Sequence, residues 1–278
     1  MPKLECHISQ SLWEALKAHQ QASGESIGHT VRRALADALQ LNHHTLFQIS
    51  TSTALVEGLY QGAVNVATIK EHGDFGLGTF ENVDGEMIVL DGHVYQALSN
   101  GQVHEAPDAE LVPFAVVTHF TPEKSFKLAK ISSMDNLFEQ LEAHRKSDNV
   151  FFAIKGKGTF AWVKVRSVGK TAPGTRFDEV AKKQKEFEFE NIAGTLVGFW
   201  TPTYASAINI PGYHLHFISD DRKAGGHHLN IRGQQIDMQL NLELDFRMAL
   251  PETAAFLQAN LTKDPTEALA KAEADKKS

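Results

Sequence analysis

Along the first forty residues the spacing of apolar positions changes from strand-like to helical. In "KLECHIS", Leu4, Cys6 and Ile8 alternate with Lys3, Glu5 and His7, the two-residue period of a half-buried strand. From Ser9 the period turns helical: Leu12 and Leu16 stand four apart, Ser9 or Ser11 offers a cap, and Gly24 ends the run after Ser23. Ser26 then caps a second helix, in which Ile27, Val31 and Leu35 fall at four-residue steps and Leu39 follows. One short strand and two helices enclose too little interior to fold alone, so residues 1–42 are expected to dimerise or dock.

After "LNHH" the pattern becomes one of short strands broken by glycine. Turn signals at Gly73-Asp74, Asp84-Gly85 and Asp91-Gly92 separate runs such as "EMIVL" and "HVYQAL". "NVFFAIKGKGTFAWVKVRSV" reads as two strands joined at Gly156 to Gly158, and residues 134–146 as a helix with Leu137 and Leu141 inward. "TLVGFWTPTYAS", "YHLHFIS" and "HHLNIRG" continue the strand pattern, and "IDMQLNLELDFRMAL" turns Ile236, Met238, Leu240, Leu242 and Leu244 inward. The tail, "LTKDPTEALAKAEADKKS", is polar and predicts a short helix that frays at its end. The expected fold class is α+β and β-dominated: a strand-helix-helix appendage on a two-part body. Its boundaries are expected at 1–42, 43–170 and 171–278.

Composition and charge narrow the function classes. No apolar run approaches the ~20 residues that span a bilayer, and the amino terminus lacks a basic stretch followed by an apolar one, so neither a membrane protein nor a secreted one is expected. With Cys6 as the single cysteine, an intrachain disulfide and a thiolate-rich metal site are both excluded, and a reducing cytoplasm is the expected location. A net charge of −7 argues against broad affinity of the whole molecule for nucleic acid.

Candidate chemistry is concentrated in "GYHLHFISDDRKAGGHH", residues 212–228, which holds four histidines. Residues two apart on a strand share a side, ~6.5–7 Å apart along it, so His214 and His216 project together while Leu215 faces a core. The turn "SDDRKAGG" brings the chain back, and either His227 or His228 can add a third nitrogen; only one can, because neighbours alternate. Three histidines leave an open coordination position, as catalytic zinc sites do, and imidazole also suits Fe, Ni or Cu. A cupin-type oxygenase is the competing metalloenzyme reading, with Asp220 as an imperfect candidate for its acid.

The order of "GDFGLGTFENVDGEMIVLDGHVYQ" (73–96), "VPF" (112–114), "FAWVKVRSV" (160–168), "GTLVGFWTP" (194–202) and "GYHLHFISDDRKAGGH" (212–227) resembles the acetolactate decarboxylase family. The resemblance runs from about residue 45 to the end, and implies a mixed sheet joined to a small antiparallel, barrel-like sheet. It implies zinc ligands at His214, His216 and His227, with His228 turned away; an active-site acid at Glu86 and arginine at Arg166; a second acid at Glu273, with Glu267 as the alternative; and Thr79 lining the substrate pocket. The implied activity is metal-assisted decarboxylation of (S)-2-acetolactate to (R)-acetoin and CO2 in acetoin and 2,3-butanediol formation, by a homodimer needing Zn2+ and no organic cofactor. Separately, residues 2–41, with "ASGESIGHTVRRALADAL", resemble the ribbon-helix-helix family, whose paired strands enter DNA. That likeness implies a DNA partner and, as an alternative function, a metabolite-responsive regulator. Residues 1–42 carry four basic residues (Lys3, Lys17, Arg32, Arg33) and four acidic ones (Glu5, Glu14, Glu25, Asp37), a balance that equally suits a dimerisation appendage.

Overall fold

A computed structural model describes residues 5–39 and 45–273 of the protein. The chain forms two compact units, Met1–His43 and His44–Ser278.

The first unit holds α1 (Gln10–Ser23) and α2 (Ile27–Ala38). Ser9 Oγ caps α1 by accepting from the Leu12 N–H (3.2 Å), and Gly24, at φ 76°, closes it with a hydrogen bond to Gln20 O. Ser26 Oγ accepts from the His29 N–H at the start of α2. Among the described residues of this unit none is buried, and Ile8, Leu12, Trp13, Leu35 and Leu39 are exposed. The expected amino-terminal strand is not formed: Glu5 to Ser9 are irregular, while Lys3 and Leu4 lie outside the described residues. A strand exists through its ladder, and a single copy of this short segment has none to join.

The second unit runs β1 (Thr45–Ile49), α3 (Ser52–Val56), β2 (Val64–Asn65), α4 (Val66–His72), β3 (Phe75–Thr79), β4 (Glu86–Leu90), β5 (His93–Ala97), β6 (Val103–Glu105), β7 (Leu111–Val112) and β8 (Phe114–Thr118). It continues with β9 (Lys124–Ile131), α5 (Met134–Glu142), β10 (Phe151–Ser167), α6 (Phe177–Ala181), β11 (Lys185–Thr201), β12 (Gly212–Ser219), β13 (Gly225–Glu243), β14 (Asp245–Ala249), α7 (Ala254–Gln258) and α8 (Thr266–Glu273). A seven-stranded mixed sheet has the order β14-β1-β8-β3-β4-β5-β6, in which β1 and β14 are parallel. A five-stranded antiparallel sheet has the order β10-β11-β12-β13-β9, and the extra pairing of β10 with β13 rolls it into a small barrel.

Turn chemistry fixes the β4–β5 hairpin, where Asp91 (φ 53°) and Gly92 (φ 82°) both take the left-handed conformation that a tight two-residue connection needs. Elsewhere glycine misleads. The segment expected as two strands is one 17-residue strand, β10. A Cβ on Gly156 would sit 2.8 Å from Met238 Sδ, and one on Gly158 2.6 Å from Ile236 Cδ1, so these glycines admit side chains of β13 rather than turn the chain. The break expected near residue 170 does not part the body either: β10, before it, pairs with β11 and β13, after it, and β14 returns to β1. The helix expected to reach residue 146 stops at Glu142, and the Arg145 guanidinium lies 3.4 Å above the Trp200 ring. Leu244 is 42% exposed, because the chain leaves the barrel sheet after Glu243 to enter the mixed sheet at Asp245.

The mixed sheet packs one face on α4, around Phe47, Val66, Ile69, Met87 and Val89. Its other face meets the barrel sheet, where Leu77, Ile88 and Val116 join Ala153, Val197, Phe199 and Ile218. The barrel's remaining face encloses Phe160, Leu196, Leu215, Phe217, Ile231 and Met238, with Leu137 and Leu141 of α5. The tail is less polar in effect than its composition predicts: α8 buries Leu269 against Val56 and Ile210, and Ala272 against the inter-sheet core.

Candidate active site

The four-histidine stretch forms the β12–β13 hairpin, and strand alternation sorts its side chains. Tyr213, Leu215 and Phe217 pack with the barrel core, while His214 and His216 are buried on the opposite side. His227 of β13 is the cross-strand partner of His216, and Arg166 of β10 is the partner of His227. Three adjacent strands thus deliver two imidazoles and a guanidinium in one row, with the third imidazole two residues along β12. Ligand-capable nitrogens of His214, His216 and His227 lie within 4.8 Å of one another. His228 faces away from this group; it is buried, both its ring nitrogens lack a hydrogen-bond partner, and burial pushes its pKa down to about 3.

The mixed sheet supplies the facing wall. Thr79 and Glu86 are cross-strand partners at the β3–β4 hairpin, and the Thr79 hydroxyl donates to Gly85 O (2.8 Å), bracing the turn beneath Glu86. Glu86 Oε2 lies 3.6 Å from His216 Nε2. The neighbouring Met87 carbonyl is 2.8 Å from His216 Nδ1, so that nitrogen carries the proton and Nε2 keeps its lone pair. Thr79, Glu86, Arg166, His214, His216 and His227 all line a single cavity between the sheets.

The electrostatics suit the three histidines to metal coordination. Burial, then the Arg166 charge, lowers the pKa of His214 to about 3. Burial chiefly, with Arg166 and the neighbouring histidines adding to it, holds His216 and His227 well below the usual imidazole range. The rings are neutral at physiological pH, as coordination requires. His216 Nε2 is buried without a hydrogen-bond partner, and a divalent transition ion among the three nitrogens would satisfy it.

Residues 46–263 match the alpha-acetolactate decarboxylase family. The chain belongs to that family. It is 42% identical over 235 residues to the alpha-acetolactate decarboxylase of Brevibacillus brevis, covering 84% of this chain and 82% of the relative. It is 42% identical over 229 residues to that of Methanosarcina mazei, covering 82% of this chain and 80% of the relative. The crystal structure of the Bacillus subtilis strain 168 alpha-acetolactate decarboxylase superposes with a TM-score of 0.80 at 35% identity, covering 83% of this chain and all of that one.

Within this acetolactate decarboxylase fold, six of the seven site residues expected from sequence share one cavity. The seventh, Glu273, ends α8 and its side chain lies outside the described residues, while Glu267 is solvent-exposed in the first turn of α8 and does not line the cavity. Two kinds of contributor escaped the sequence. One is the Met87 carbonyl, since a backbone acceptor leaves no mark on residue identity. The other is an apolar wall of Leu55, Phe114, Val168, Phe177 and Ile210, whose residue types read as ordinary core.

Proposed function

We propose that the chain decarboxylates (S)-2-acetolactate to (R)-acetoin and CO2, with a zinc ion held by His214, His216 and His227. The observation that carries this reading is the buried row of Arg166, His227 and His216, facing Glu86 across the sheet interface. The bond between the substrate's C2 and its carboxylate breaks, the electron pair moves toward the adjacent ketone, and C2 of the remaining enediolate takes a proton. A divalent ion held by the triad would supply Lewis-acid stabilisation of negative charge on substrate oxygen. Arg166, fully buried, holds the carboxylate before loss and the anion that follows, and its fork suits paired oxygens. Glu86, beside His216 in the cavity, holds and returns the proton, and Glu273 is the second acid that the family resemblance offers for that task. The apolar wall keeps water from the reacting carbon and strengthens each charge interaction. No organic cofactor is required, because the ketone is itself the electron sink.

For the amino-terminal unit we infer homodimerisation through its exposed Leu12, Trp13 and Leu35. Its equal numbers of acidic and basic residues place that reading above DNA binding, which a mobility-shift titration at varied salt would test. Cys6 as sole cysteine suits the cytoplasm, and among the described residues no helix is long and apolar enough to cross a membrane. The deciding experiment measures CO2 and acetoin from racemic 2-acetolactate with metal-stripped protein, before and after Zn2+ is added. Zinc-restored turnover, lost in His214→Ala together with zinc binding, is expected. Full turnover by that variant refutes the assignment.

A further inference from the structure

The catalytic cavity has two chemically distinct halves. Strand residues supply the polar half, and Leu55 of α3, Phe177 at the start of α6 and Ile210 on the approach to β12 form much of the apolar half. All three are nearly inaccessible to bulk solvent, at 4%, 7% and 4% exposed, and all three line the cavity. They are also backed by a common element. On α8, Leu269 packs with Ile210 and with Val56 of α3, and Ala272 belongs to the cluster of Leu55 and Phe177. Helix α8 therefore holds this part of the wall in place from a second layer.

We infer that Leu55, Phe177 and Ile210 form the subsite for the alkyl substituents of the substrate, and that α8 sets its depth through Leu269. The inference rests on the decarboxylase reading. Once the carboxylate, hydroxyl and ketone oxygens of a 2-hydroxy-3-keto acid face the polar half, only its alkyl groups remain. Burying them against this wall is favourable, while the polar half offers alkyl groups no apolar contact. A wall of close-packed side chains resists an added methylene, because interiors have few voids to absorb it. The cavity should thus distinguish a methyl from an ethyl group on the carbon bearing the carboxylate. One methylene in an apolar pocket typically changes kcat/KM by about tenfold or more.

The test uses the full-length, zinc-loaded chain and two substrates: 2-acetolactate and 2-ethyl-2-hydroxy-3-oxobutanoate, its homologue with ethyl in place of the C2 methyl. The quantity read is the ratio of kcat/KM for the ethyl substrate to that for the methyl one. Ile210→Val removes one carbon from the wall and is expected to raise the ratio by about tenfold. Leu269→Ala, which changes only the backing layer, should raise it in the same direction by a smaller factor. Leu111→Ala, at the exposed residue of β7, should leave it unchanged. Zinc content and melting temperature accompany each variant, and the Val substitution is mild enough to keep the fold if an Ala variant does not. A ratio within about twofold of the parent in Ile210→Val, with zinc bound, overturns the inference. Failure of the parent chain to release CO2 from either substrate instead refutes the decarboxylase reading beneath it.

Discussion

Glu243 offers a quantitative test of how the sheet junction is built. It is 2% exposed where β13 ends, two residues before β14 begins in the other sheet. Its Oε1 accepts from Asn241 Nδ2 at 2.8 Å. Burial raises its pKa to about 8 from an ordinary 4.5, outweighing the hydrogen bonds that favour the charged form. Between those values the folded chain keeps a proton that the unfolded chain has lost, so stability falls as pH rises through that window and is flat outside it. A gap of about 3.5 pH units, at 1.36 kcal/mol for each, amounts to about 5 kcal/mol by pH 8. Glu243→Gln keeps the oxygen that accepts from Asn241 and removes the titration. Urea unfolding of parent and variant, both zinc-saturated, at pH 5, 6, 7 and 8 isolates the effect, because every other titrating group is shared. The stability difference is expected to move in the variant's favour by about 1.4 kcal/mol per pH unit. By pH 8 the variant should melt roughly 10 °C or more above the parent, at about 2–4 °C per kcal/mol for a unit of this size. A difference curve that stays level from pH 5 to 8 refutes the reasoning and means that Glu243 is ionised in the folded protein.

Other consequences concern the site itself. Arg166→Lys keeps the charge but loses the planar fork, so kcat/KM for 2-acetolactate should fall about a hundredfold; parent-like kinetics would remove Arg166 from substrate binding. In Gly198→Ala the new Cβ would collide with His214 O, forcing β11 and β12 apart at one of the three candidate ligands. Zinc affinity, measured by competition with a chelator, should drop at least about tenfold, and an unchanged affinity would show that the strand pair absorbs the methyl elsewhere.

Sequence alone determined what depends on local periodicity and residue chemistry. The Ser9, Gly24 and Ser26 signals bound helices where expected, because caps act within a few residues of themselves. The H-x-H spacing places His214 and His216 on one side of a strand, because the pleat has a period of two. Long-range packing decided the rest. Gly156 and Gly158 look like a turn until Met238 and Ile236, some eighty residues later, are seen to occupy the space a Cβ would take. Of the hairpin histidines 227 and 228, spacing leaves the choice open, whereas the register of β13 against β12 and β10 aligns His227 with both His216 and Arg166. Likewise Glu86 becomes part of a site only because the mixed sheet packs its β4 against the barrel, within 3.6 Å of His216. Local sequence carries the preferences of each strand and helix; which side chains meet across two sheets is fixed only when both sheets bury their apolar faces together.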